Sequence, residues 1–224
     1  MPGPPWEDDP PDLPPIGRNA ATLLSSQQAA AGARALPTLA DALGWHSALY
    51  AGCRVPVAGY VGHLRGDPAV PELVDYELGV GPLLPDGLPE RVGVWSTQVT
   101  AEISGLMPKI HAGLQYLDDL LPVGQRPQSV DELHAVVALT AVVHGEWVRI
   151  HPFANGNGRT ARTWAAFIAL RYSLPIFITS KPRPDDIAYA RAGRESMGRP
   201  PDFLGDHDTA ISVFGHLLSL ALLP

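Results

Sequence analysis

The chain of 224 residues carries a net charge of −7 and contains 16 basic residues. This balance argues against a general nucleic-acid-binding protein, because such proteins present clustered positive charge to the phosphate backbone. The 24 Pro and 22 Gly together make about a fifth of the chain, which is below the proportion of roughly 25–30% that is typical of low-complexity sequences. With 46% hydrophobic residues, a chain of this length can bury a core.

Two features of the sequence bear on cellular location. No apolar run approaches the roughly 18 residues of a membrane-spanning helix, and the N-terminus lacks the basic and then apolar order of a signal peptide. Cys53 is the single cysteine, so no intrachain disulfide can form. We therefore expect a cytoplasmic protein that associates with neither membranes nor nucleic acids.

The N-terminal third of the chain predicts an arm, two helices and a small β element. Residues 1–18 are rich in Pro and acidic residues, which predicts a disordered arm. The rest of the chain, 19–224, predicts one mostly α-helical domain with its core at about 38–223. Its first two helices are expected at 19–35 and 38–50. Alternation of apolar and polar residues over 74–78 then predicts a small β-hairpin flap.

Helical patterns continue to the C-terminus. Over 94–121, apolar residues recur every three or four positions, and Pro108 is expected to divide or kink this stretch. Ser129 and Glu132 have the spacing of a capping box, which predicts that a helix begins there. Further helices are expected at 160–172, 187–196 and 209–223. The predicted fold class is therefore mostly α.

The turn between two of these helices carries the most informative residues, which run from His151 to Arg162. Glycines at the start of a helix expose backbone amides, and such a turn can bind an anion. Arg159 and Arg162 share one face of the first turns and can add bidentate phosphate contacts. His151 has an ordinary pKa suited to proton transfer near neutral pH. On these residues alone, a polyphosphate pocket with a general base and a simple structural turn are about equally good interpretations.

Residues 151–162 resemble the signature of Fic-domain proteins, His-x-Phe-x-acid-Gly-Asn-Gly-Arg-x-x-Arg, at every fixed position except one. The resemblance implies a Fic-type α-helical core with a β-hairpin flap, and transfer of AMP from ATP to a Tyr, Ser or Thr hydroxyl of a target protein. It implies that His151 takes the proton of the attacking hydroxyl and that Phe153 anchors the loop. The residues implied in phosphate binding are Gly156, Asn157, Gly158, Arg159 for the triphosphate and Arg162 for the γ-phosphate.

The one departure from the signature is Asn155, which stands where the family has an acidic residue that helps hold Mg²⁺. An Asn carbonyl oxygen can still bind a hard cation, but it brings no negative charge. No Asp or Glu lies between Glu146 and Asp185 to replace it. We therefore expect Asn155 to be a weak metal ligand, with Mg²⁺ or Mn²⁺ held mostly by the phosphates of ATP.

The resemblance also bears on partners and leaves three functions open. The inhibitory pattern Ser/Thr-x-x-x-Glu-Gly/Asn found in many Fic proteins is absent, so a separate antitoxin-like protein would supply restraint, or the Asn155 substitution makes restraint unnecessary. The flap residues Tyr76–Val80 would align a target protein by strand addition. The three hypotheses are a protein adenylyltransferase, a catalytically weak Fic-like module that binds a nucleotide or a partner, and a Fic-fold enzyme that transfers another phosphate-containing group.

Overall fold

The computed structural model describes residues 2–79 and 92–223. In that part of the chain it contains seven α-helices, which confirms the prediction of a mostly helical domain. They are α1 (Leu13–Gly32), α2 (Leu39–Leu49), α3 (Ser96–Leu120), α4 (Val130–Ile150), α5 (Asn157–Arg171), α6 (Ile187–Met197) and α7 (Asp208–Ala221). Short 3₁₀ turns lie at Pro10–Asp12, Ala58–Tyr60 and Pro71–Leu73.

Helices α4 and α5 form the centre of the molecule, and the turn between them carries the Fic-like residues. Helix α5 is buried over nearly its whole length and contacts α1, α2 and α4. Trp164 of α5 packs edge-on against Trp45 of α2, with 4.8 Å between ring centroids, and lies 5.7 Å from the ring of Trp147 on α4. Because aromatic packing holds both helices, the turn between them has a fixed position.

Helix α4 begins where the sequence predicts. The Ser129 hydroxyl accepts from the backbone N–H of Glu132 at 3.2 Å, and the Glu132 carboxylate accepts from the N–H of Ser129 at 3.2 Å. Helix α3 runs through Pro108 as one element, so Pro108 does not divide it. The buried side chains on both sides of Pro108, including Ile103 and Ile110, pack on the same core, and this packing outweighs one lost backbone hydrogen bond.

The N-terminal segment is packed in the structure, in contrast to the expected disordered arm over 1–18. Trp6 is 6% exposed, and its ring lies 4.5 Å from that of Tyr50. Helix α1 begins at Leu13 rather than at Asn19, with prolines in its first turn, where the missing N–H groups have no helical partner to lose. The Pro-rich composition predicts disorder, but the side chains of Trp6 and Ile16 are buried and pack this segment against the core.

The predicted β-hairpin flap is not shown. Residues 74–79 form no strand, although the Leu78 carbonyl accepts from the N–H of Val92 at 3.3 Å. The segment expected to align a target is Tyr76–Val80. Its last residue belongs to the range 80–91, which lies outside the described residues.

Helix α4 is also long and apolar enough, by length and mean hydropathy alone, to cross a membrane. It meets this criterion by average hydropathy, although Asp131, Glu132, Glu146 and Arg149 interrupt its apolar residues, so it is not an uninterrupted apolar run. More than half of the apolar window is buried inside the protein. Packing of a central core helix accounts for this apolar composition.

Candidate functional site

His151 ends helix α4 in a left-handed backbone conformation, with φ 52° and ψ 59°. Its Nδ1–H donates to the Val148 carbonyl at 2.6 Å. Because a carbonyl can only accept, the lone pair of the neutral ring is on Nε2. Burial lowers the pKa of His151 to about 4; the Val148 hydrogen bond opposes this shift and the charge of Arg65 adds to it. The ring is therefore neutral near pH 7, and Nε2 can accept a proton.

A buried arginine that the sequence did not point to, Arg65, holds the end of α4. Its Nε donates to the His151 carbonyl at 2.7 Å, and Nη2 donates to the Ile150 carbonyl at 3.1 Å. Gly93 comes against the same turn with φ +79°, and a Cβ at this position would lie 2.3 Å from the His151 Cβ. Arg65 and Gly93 therefore position the histidine backbone. Arg65 lies 86 residues away in sequence, so no local pattern could reveal it.

The turn after His151 is closed by Asn157 and clamped by His46. The Asn157 side chain accepts from the Phe153 N–H at 2.7 Å and donates to the Phe153 carbonyl at 2.8 Å. The Phe153 ring stacks on His46 with 3.8 Å between centroids. His46 accepts from the Gly62 N–H at Nδ1, so its Nε2–H donates to the Asn155 carbonyl at 3.0 Å. The hydrogen bonds of the Asn157 side chain are thus made to the loop itself, whose shape they fix.

Helix α5 begins at this turn without a side-chain cap, since Gly156 is its N-cap residue and adopts φ +80°. First-turn amides of a helix have no partner within the helix, so they are available to an anion. A cavity of about 480 Å³ lies in front of them. It brings together all seven residues named from the sequence: His151, Asn155, Gly156, Asn157, Gly158, Arg159 and Arg162. Trp6, Leu78, Lys181 and Arg183 are among the other residues that line it.

Several positively charged side chains line this cavity. Arg159 and Arg162 are 9% and 5% exposed, and burial together with Arg162 lowers the pKa of Arg159 to about 10. Arg162 donates to the carbonyls of Thr179 and Ser180, at 3.0 and 2.9 Å, and to no carboxylate of the described residues. Burying a charge without a counter-ion costs free energy. The cavity is therefore suited to an anionic ligand.

The acidic group missing from the turn comes from the N-terminal segment. Asp8 ion-pairs with Arg159, and its Oδ1 accepts from the Asn155 Nδ2 at 2.9 Å. The Asn155 Oδ1 accepts from the Gly156 N–H at 2.6 Å. The sequence analysis found no acid near Asn155 along the chain, and the structure brings one to it from a distant segment. Nothing in the sequence pairs residue 8 with residue 155.

The oxygen atoms around Asn155 offer a metal ion little protein ligation. In the ranges that the structure describes, no group of three or more His, Cys, Asp or Glu side chains is arranged to hold a metal. The available protein oxygens are those of Asp8 and Asn155, and Arg159 neutralises the charge of Asp8. Such a set fits Mg²⁺ or Mn²⁺ only when phosphate oxygens supply most of the ligands.

Replacing Gly156 with alanine is expected to lower the free energy of unfolding by about 1–3 kcal/mol, because the left-handed conformation is strained for alanine. A Cβ there would also lie 2.6 Å from Tyr50 Oη. Urea denaturation measures the effect. The matched control is Gly44→Ala, on the exposed face of α2, where a Cβ meets open space. The control should be neutral or gain about 0.5–1 kcal/mol. Equal effects of the two substitutions would contradict this account of the turn.

Stability should fall as the pH decreases from about 6.5, the ordinary histidine value, to about 4. Burial lowers the pKa values of His46, His144 and His151 to about 4, 3 and 4. The unfolded chain then binds protons that the folded chain excludes, so acidification favours unfolding. Urea denaturation between pH 7.5 and 5 measures the slope, and His134→Ala, at an exposed position of α4, should leave it unchanged. A flat profile would contradict the prediction.

Comparisons with known proteins agree with this geometry. Residues 89–169 match the model of the Fic/DOC family. The fold resembles the crystal structure of a Fic domain containing signaling protein from Bacteroides thetaiotaomicron, with a TM-score of 0.59 and 19% identity. The alignment covers 91% of this chain and 66% of that protein. A comparison with curated proteins gives no significant match. The predicted Fic resemblance is confirmed over residues 89–169, which match the Fic/DOC family model and include the whole turn from His151 to Arg162; beyond them the likeness is one of fold.

Proposed function

We propose that this protein is an adenylyltransferase that moves AMP from ATP to a Tyr, Ser or Thr hydroxyl of a target protein. Fic proteins are typically transferases. The observation that carries the specific proposal is the pairing of a neutral histidine with an excess of buried positive charge in one cavity. His151, Arg159 and Arg162 all line the cavity, beside the uncapped amides of α5.

The geometry supports a division of labour between these groups. Nε2 of His151 accepts the proton of the target hydroxyl as its oxygen attacks the α-phosphorus, and pyrophosphate leaves. Arg159 and the first amides of α5 stabilise the negative charge on the phosphates. Most of the catalytic effect then comes from positioning and from charge neutralisation. A bound Mg²⁺ or Mn²⁺ would supply further positive charge to the phosphates, and Asp8 and Asn155 are the protein residues that would hold it.

A second candidate function is a module that binds a nucleotide or a partner with little or no transfer. The position of Asp8 favours this function. Its carboxylate ion-pairs with Arg159 and accepts from the Asn155 side-chain amide, where an anionic ligand would bind. The absence of an acidic residue in the turn favours the same function. Transfer of another phosphate-containing group is the third function, and γ-labelled ATP tests its kinase form.

Incubation of the protein with cell lysate and ATP labelled at the α- or γ-phosphate tests the proposal, with Mg²⁺ and with Mn²⁺. AMP transfer predicts protein-bound label from α-labelled ATP only. Label from γ-labelled ATP alone would indicate a kinase instead. If no label is transferred with either metal while ATP still binds, the binding-module function is supported.

A further inference from the structure

We propose that Lys181 binds the terminal phosphates of a nucleoside triphosphate and selects this ligand over a monophosphate. The proposal rests on the proposed nucleotide function of the same cavity and assigns a residue outside the segment that matches the Fic/DOC family. Lys181 lies in the connection between α5 and α6 and lines the cavity together with Arg159 and Arg162.

Helix α5 fixes the position of the chain just before Lys181. Arg162 donates from Nε to the Thr179 carbonyl and from Nη2 to the Ser180 carbonyl. The hydroxyls of Thr163 and Ser180 hydrogen-bond at 2.7 Å. Lys181 therefore follows a segment that two successive side chains of α5 hold. Its placement beside the arginines is built into the fold and does not depend on an attraction of its own.

The positive charges of Arg159 and Arg162 make the position of Lys181 electrostatically unfavourable. Its side chain has no hydrogen bond or ion pair with any described residue, and it is half-buried. Burial, and then the charges of Arg159 and Arg162, lower the pKa of its ammonium group. The one carboxylate that contacts these cations within 2–79 and 92–223 is that of Asp8, which pairs with Arg159. An anionic ligand would remove the repulsion among the three cations.

The number of cations favours a polyphosphate over a single phosphate. The amides of α5 together with Arg159 are sufficient partners for one phosphate group. Arg162 already donates hydrogen bonds to the carbonyls of Thr179 and Ser180. Lys181 is a compact point charge that makes no such hydrogen bonds to described residues, and lysine is a common phosphate-binding residue. Phosphates beyond the first would therefore lie within reach of Lys181.

Calorimetric titration with ATP, ADP and AMP at a fixed Mg²⁺ concentration tests the assignment. We expect Lys181→Gln to weaken ATP binding about 10- to 100-fold, the loss typical of a hydrogen bond to a charged group. AMP affinity should change less than about twofold, and Lys181→Arg should restore most of the ATP affinity. The matched control is Lys109→Gln, since Lys109 is the other lysine of the chain and lies exposed on α3.

The outcomes separate this inference from the proposed function. If Lys181→Gln binds ATP as tightly as the wild type, or if it loses AMP affinity to the same extent, the assignment of Lys181 is wrong and the nucleotide site stands. If the wild-type protein binds none of the three nucleotides, the proposed function itself fails.

Discussion

Replacing His151 with alanine is expected to lower the rate of AMP transfer by about 10²- to 10⁴-fold, the usual contribution of a general base. The Nδ1–H of this residue is committed to Val148, and Arg65 and Gly93 fix its backbone. Among the described residues that line the cavity, the other titratable side chains are cationic, and the carboxylate that contacts them, that of Asp8, is paired with Arg159. ATP affinity should stay within about threefold, since the phosphate-binding groups are unchanged.

The matched control for this variant is His134→Ala, which removes an exposed histidine from the same helix. It should transfer AMP at the wild-type rate. A His151→Ala protein that binds ATP normally and keeps more than a tenth of the wild-type rate would show that this histidine is not the base. Unchanged ATP affinity in the same preparation also guards against a general folding defect.

Replacing Asp8 with asparagine is expected to strengthen ATP binding about tenfold in the absence of divalent cations. The Asp8 carboxylate ion-pairs with Arg159 and accepts from Asn155, so an incoming phosphate must displace it. Charge-assisted hydrogen bonds of this kind contribute about 1.5–3 kcal/mol each, and asparagine retains only their neutral part. Calorimetric titration with ATP in a buffer containing a chelator measures the change.

The neighbouring acid gives a matched control for Asp8. Asp9 pairs with Arg54, and the two side chains are 44% and 68% exposed. Asp9→Asn should therefore leave ATP affinity unchanged. With Mg²⁺ present, the gain of Asp8→Asn should shrink, because the carboxylate oxygen is then also a metal ligand. Equal ATP affinity of Asp8→Asn and wild-type protein in chelator would contradict a competing role for this carboxylate.

The parts of the fold that were predicted correctly depend on local patterns. The capping box at Ser129 and Glu132 predicted the start of α4, because its hydrogen bonds join residues three apart. The turn from His151 to Arg162 was recognised in the same way, as consecutive residues with a defined chemistry. These signals need no knowledge of how distant segments pack.

The residues that were missed act across long separations in the sequence. Arg65 contacts the His151 carbonyl across 86 residues of sequence. The contacts of Asn155 with His46 and with Asp8 span 109 and 147 residues. No spacing rule connects such positions in a single sequence. The N-terminal segment shows a related failure, because its average composition predicts disorder while buried apolar side chains such as Trp6 and Ile16 anchor it.

A crystal structure with a non-hydrolysable ATP analogue would show whether this cavity binds the phosphates of a nucleotide. We expect phosphate oxygens at about 2.7–3.1 Å from the amides of Gly158 and Arg159. We also expect that Arg159 contacts phosphate and that Asp8 has left its guanidinium. An analogue bound elsewhere, with the Asp8 and Arg159 pair intact, would contradict the account.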